Sequence, residues 1–154
     1  MNISYNKQFI DGKDIKSISK AARQRLITTG DFVEKFENSF KNKLNVKNSI
    51  SCINGTAGLD LAFRSIDLKK NDVIIMPVVN FIASYSMARA LNANIFLSDV
   101  DPLTGQMTPE TLENCIKKNK LKKIKAVVTM YLGGFAENIK KFYLLKKKYN
   151  FFII

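Results

Sequence analysis

The sequence has no histidine and no tryptophan, and only two cysteines, Cys52 and Cys115. Without histidine, this chain cannot hold a Ser-His-Asp triad, a Cys-His dyad or a histidine-based zinc site. Two cysteines make neither a disulfide framework nor a four-cysteine zinc site, which points to a cytoplasmic protein. Proline is scarce, with 3 residues, and so is glycine, with 7. That scarcity leaves no low-complexity linker, and no internal repeat is present. Acidic residues are the minority, 13 against 25 lysines and arginines. No apolar run reaches membrane-spanning length, and the start, MNISYNKQFIDGKD, lacks the basic-then-apolar layout of a signal peptide.

What is present is a globular composition. Hydrophobic residues make up 46% and charged residues 25% of 154 residues, enough for one domain with a core. The net charge of +12 comes from lysine runs such as IKKNKLKKIK (116–125) and LLKKKYN (144–150). An anionic partner such as nucleic acid is one reading of that charge. Solvated helix faces are the plainer one, because the runs lack interleaved aromatics on which bases could stack.

Two helices come first. Ile15, Ile18, Ala22 and Leu26 share one face over 13–26, and Thr28-Thr29-Gly30 breaks the pattern. Phe32, Phe36, Phe40 and Leu44 are spaced by four in the next helix. From Asn48 onward the rhythm changes. Apolar runs at 49–53 (SISCI), 72–76, 95–98, 124–129 and 151–154 (FFII) alternate with helical stretches near 56–67, 80–92, 109–119 and 137–149. Thr108-Pro109-Glu110 opens the third of these with a hydroxyl cap, a proline and an acid. The alternation predicts an α/β fold with a mainly parallel sheet and helices on both faces. The predicted division is a helical N-terminal segment over 1–47 and an α/β part over 48–154 that ends within its last strand.

Three sites carry candidate chemistry. In Asn54-Gly55-Thr56-Ala57-Gly58 an apolar run passes directly into a helix. Unpaired N–H groups at a helix start, with Thr56 as a hydroxyl donor and Gly55 allowing close approach, suit a phosphate. A tight turn capped by Thr56 is the alternative. A P-loop is excluded, since no Gly-Lys-Ser/Thr follows, and a G-x-G-x-x-G fingerprint lacks its third glycine. The G-x-x-G clamp of KH domains joins two helices, whereas this one follows a strand. Second, Phe81 follows the Pro77-interrupted strand and stands either as a stacking face for a flat ring or as core. Third, Asp99 and Asp101 form a D-x-D, readable as a glycosyltransferase metal–diphosphate pair or as an Asp-Pro turn.

In order, TTGDFVEKFE (28–37), INGTAGLDLAF (53–63), NDVIIMPVVNFIAS (71–84), FLSDVDPLTGQMTPETLE (96–113) and IKAVVTMYLGG (124–134) resemble the DegT/StrS-type sugar aminotransferases. These enzymes depend on pyridoxal 5′-phosphate (PLP) and have the aspartate aminotransferase fold, fold type I. The resemblance runs from about Ile15 to Ile154. It implies the N-terminal portion of the large domain, with Gly55, Thr56 and Ala57 at the cofactor phosphate and Phe81 on the pyridine ring. It also implies Thr29, Gly30 and Tyr131 near the substrate, and no metal. The implied reaction moves an amino group, from glutamate, to a keto group of a nucleotide-linked deoxy sugar, in a homodimer serving polysaccharide synthesis. Asn80 stands where Thr or Ser is more usual, and Tyr131 where His is frequent. In the family an Asp for the pyridine nitrogen follows the FFII-like strand, and the Schiff-base lysine comes later. Both are expected beyond Ile154, so the chain alone is expected to be inactive.

Overall fold

The computed structural model describes residues 7–154. The chain divides into two compact units, Met1–Ser51 and Cys52–Ile154.

The first unit contains α1 (Gly12–Ala22) and α2 (Asp31–Leu44). Asp11 caps α1 by accepting from the N–H groups of Lys13 and Asp14, and Asp14 returns the bond to the Asp11 N–H. The helix ends at Ala22, four positions before Leu26, so Leu26 lies outside it and is exposed. Asn45 closes α2 in the left-handed conformation, its N–H meeting the carbonyls of Asn42 and Lys41. Residues 49–53, predicted as a strand, form none. A strand exists only by pairing, and among the described residues no neighbour pairs with this run. Ile53 is 90% exposed. Ser51 is held instead by Glu37, whose carboxylate accepts from the Ser51 N–H at 2.7 Å and hydroxyl at 2.8 Å. Those two bonds pull the Glu37 carboxyl below its ordinary range.

The second unit is a three-layer α/β structure. Its elements are α3 (Gly55–Ser65), β1 (Val73–Pro77), α4 (Ile82–Ala90), β2 (Asn94–Ser98), α5 (Pro109–Lys118), β3 (Ala126–Val127), a 3₁₀ turn (Leu132–Gly134), α6 (Ile139–Tyr149) and β4 (Phe152–Ile153). The strands are all parallel, in the order β2-β1-β3-β4. β1 is central, and its side chains alternate between faces as the pleat requires. Ile74 and Met76 join Phe63, Leu68, Ala88 and Val128 in the layer of α3 and α4. Ile75 joins Leu112, Cys115, Phe142 and Leu145 in the layer of α5 and α6. The predicted start of α5 forms as a capping box: Thr108 and Thr111 each accept, through the side-chain oxygen, from the other's N–H.

This topology fixes one edge for ligands. After β1 the chain goes to β2 on one side. After β3 it goes to β4 on the other. The two connections diverge at the carboxyl ends of β1 and β3, where open α/β sheets place their crevice. The loop 78–81 leaves one of these strands, and the segment 128–131 leaves the other.

Candidate functional site

α3 supplies the first part. Its link to β1, residues 66–72, is short, and Phe63 packs beside Ile74 and Met76 in one cluster. The helix therefore runs back over the sheet against the direction of β1, which brings its N-terminus to the carboxyl edge. Asn54 is the N-cap, in extended conformation, and its Oδ1 accepts from the Ala57 N–H at 2.9 Å. This overturns the reading of Thr56 as the cap. The N–H groups of Gly55 and Thr56 have no hydrogen-bond partner among the described residues, whereas that of Ala57 is already engaged by Asn54. Two free donors thus stand at the positive end of the helix dipole, with the Thr56 hydroxyl next to them.

The two glycines of this turn differ in purpose. A Cβ on Gly58 would come 3.3 Å from the Cys52 sulfur, so glycine there serves packing. A Cβ on Gly55 would meet nothing within 4 Å. Packing does not require glycine at 55, and the space before the helix start is open on that side.

The β1–α4 loop supplies the second part. Phe81 precedes α4 in extended conformation, and the Ser84 hydroxyl donates to its carbonyl at 3.1 Å. Its ring is 67% exposed, which overturns the core reading. Beside it the Asn80 amide nitrogen is buried and has no hydrogen-bond partner among the described residues. Such an orphaned donor costs about 1–3 kcal/mol. Across the switch point, Tyr131 is half-buried and opens the 3₁₀ turn, its carbonyl accepting from the Gly134 N–H at 2.9 Å. Gly133 and Gly134 both take positive φ, 68° and 78°, which glycine adopts without strain. Thr129 ties β3 to β4 at this edge, its N–H donating to the Ile154 carbonyl at 2.8 Å.

Thr29 and Gly30 lie in the first unit, in the turn before α2, with Gly30 as its N-cap at φ 135°. The D-x-D aspartates serve the local backbone. Asp101 accepts from the N–H groups of Thr104 and Leu103, both at 2.9 Å, which holds its carboxyl below the usual range. Asp99 accepts from the Val100 N–H at 2.9 Å. The turn reading therefore accounts for both. A cleft of about 740 Å³ lies elsewhere, beside β2 and α5, with Ser98, Asp99, Asn114 and Lys117 in its walls. The free donors stand at the start of α3 and the exposed ring just before α4, both at the carboxyl edge of the sheet. Among the described residues no helix is long and apolar enough to cross a membrane.

Phosphate-ready donors with an open approach at Gly55, and an exposed flat ring beside an orphaned amide, all at the carboxyl edge of the sheet, fit a phosphorylated aromatic cofactor such as PLP. Comparison with known proteins agrees with that chemistry. The chain is 27% identical over 146 residues to GDP-perosamine synthase of Escherichia coli O157:H7, covering 94% of this chain and 39% of that protein. It is 28% identical over 148 residues to UDP-4-amino-4,6-dideoxy-N-acetyl-beta-L-altrosamine transaminase of Campylobacter jejuni subsp. jejuni serotype O:23/36 (strain 81-176), covering 96% and 39%. It therefore spans about two fifths of the length of these relatives. The fold matches that of the proposed sugar aminotransferase Spr1654 of Streptococcus pneumoniae in its PLP form, with a TM-score of 0.87 at 24% identity over 99% of this chain and 38% of that one. With residues 8–154 matching its defining pattern from the first helix to the last strand, the chain belongs to the DegT/DnrJ/EryC1/StrS aminotransferase family.

Proposed function

We propose that this chain forms the cofactor-phosphate and ring-stacking part of a PLP-dependent aminotransferase. The reaction moves an amino group, from glutamate, to a keto group of a nucleotide-linked deoxy sugar. The observation that carries the reading is the pair of unpartnered N–H groups on Gly55 and Thr56 at the start of α3. These donors and the Thr56 hydroxyl bind the phosphate. Ala57 keeps its N–H on Asn54 and takes part only as the small residue of the first turn. Phe81 stacks on the pyridine ring and fixes its plane. Bound there, PLP supplies an electron sink for amino transfer. Tyr131 belongs to the substrate side in this reading, and the family resemblance adds Thr29 and Gly30 as substrate residues. In this reading residues 1–47 are that segment and 48–154 belong to the PLP-binding large domain. The working protein is a cytoplasmic homodimer, and its product feeds surface polysaccharide synthesis. The GDP-sugar and UDP-sugar names of the two relatives support the substrate class.

The test is calorimetric titration of the chain with pyridoxamine 5′-phosphate (PMP), which lacks the aldehyde that would react with surface lysines. Thr56→Ala and Phe81→Ala should each weaken binding about tenfold, the loss of one charge-assisted or stacking interaction. Equal affinity in both variants and the parent would sink the assignment. With PLP, glutamate and a keto-sugar nucleotide, the chain by itself should show no turnover. None of its lysines stands where the resemblance requires the covalent anchor.

A further inference from the structure

The loop leaving β1 is folded inside out. Val78, Val79, Phe81 and Ile82 are all exposed, at 53%, 42%, 67% and 63%, while the one polar side chain among them, Asn80, has its amide nitrogen buried. Hydrophobic burial favours the reverse arrangement. The buried amide gains nothing from its position, since no acceptor meets it among the described residues. It has no protein hydrogen bond to give up. Any acceptor that enters the crevice therefore wins it without competition, at the cost of a side-chain rotation alone.

Asn80 immediately precedes the residue whose ring would carry the cofactor, on a loop at the switch point. The acceptors that such a ligand brings are anionic oxygens, on its phosphate or on the ring hydroxyl. We infer that Asn80 is a ligand-binding residue whose carboxamide turns from its partnerless site to donate to an anionic oxygen of the molecule seated on Phe81. The inference rests on the reading of this crevice as a PLP site. It gives the loop a two-state character: an orphaned amide when free, a satisfied one when occupied.

The test is nuclear magnetic resonance of the ¹⁵N-labelled chain, following the Asn80 side-chain amide, assigned by its loss in Asn80→Ala. Three probes are added separately: PMP, pyridoxamine and inorganic phosphate. The expected result is a downfield shift of the Asn80 amide together with shifts at the Gly55 and Thr56 N–H groups. A response to phosphate alone assigns the acceptor to the phosphate. A response only to probes carrying the ring assigns it to the ring oxygen. Shifts at Gly55, Thr56 and Phe81 with an unmoved Asn80 amide overturn the inference and leave the cofactor site standing. No shift at any of these positions overturns both. In parallel, Asn80→Ala should lower PMP affinity about tenfold while leaving the melting temperature unchanged or raised, since it deletes an orphaned donor. Asn80→Thr, which keeps a donor, should stay within a few-fold of the parent. A fall in melting temperature with unchanged affinity would mark a structural role and sink the proposal.

Discussion

At the scale of single residues, Asn54 and Thr56 divide two tasks that the sequence left joined. Both are side chains that can cap a helix, and the motif alone does not say which one does. The structure gives the cap to Asn54, whose extended backbone aims Oδ1 at the Ala57 N–H. Asn54→Ala should therefore destabilise the fold by about 1 kcal/mol, the usual cost of a lost N-cap, seen as a lower melting temperature. Thr56→Ala should change stability by less than about 0.5 kcal/mol, as an ordinary helix-surface substitution does. A melt in which Thr56→Ala is the more damaging would return the cap to Thr56 and remove the free donors on which the phosphate reading stands. Phe81 was equally undecided in the sequence. An aromatic after a strand is core or contact according to which way the loop turns, and that depends on tertiary packing. Asn80 gave no signal beyond its departure from the family's usual residue, because burial of one amide nitrogen is written in no local pattern.

Among the elements, the helices were the most legible. α2, α4, α5 and α6 each carry apolar residues at helical spacing, and the Thr108 cap marked the start of α5 to the residue. The 3₁₀ turn at Leu132–Gly134 went unforeseen, although its paired glycines are the residues that permit consecutive positive φ values. The contact between α5 and α6 shows what spacing cannot foretell. Glu113 accepts from Lys148 at 2.6 Å and from the Tyr149 hydroxyl at 2.9 Å, and Lys117 approaches it at 3.8 Å. The Lys148 bond, then the Tyr149 bond, draws the Glu113 carboxyl below its ordinary range. A carboxyl lowered in the folded state stabilises that state above the unfolded pKa, and the contribution vanishes as pH falls through the folded value. The difference in melting temperature between the parent and Glu113→Gln should thus be constant near neutrality and shrink in acid, from about pH 4 downward. A difference that grew on acidification would contradict the ion-paired arrangement. Lys148 is exposed and Glu113 only partly buried, so the effect should be small and reduced by salt.

For the whole molecule, hydrophobic runs were legible as strands only where a neighbour existed to pair with them. The run at 72–76 became β1 because β2 and β3 flank it, and both of its faces are covered by helices. The run at 124–129 kept only Ala126–Val127 as strand, and FFII only Phe152–Ile153. SISCI also carries an apolar run, yet among the described residues it pairs with no strand, and pairing is a property of the assembled sheet. Amide exchange reads this difference directly. The N–H groups of Ile74 to Met76, buried in the central strand, should be the slowest to exchange, opening only with the α/β unit as a whole. Those of Ile50 and Ile53 should exchange near the rate of free peptide, since both residues are exposed. Ser51 should stand out between them, protected by its bond to Glu37, and Glu37→Gln should weaken that protection. Loss of the charge weakens the acceptor, because hydrogen bonds to ionised groups are about twice as strong as neutral ones. Strong protection across the whole of 49–53 would instead mean that this run is paired as a strand, and that the expectation from its composition was the better guide.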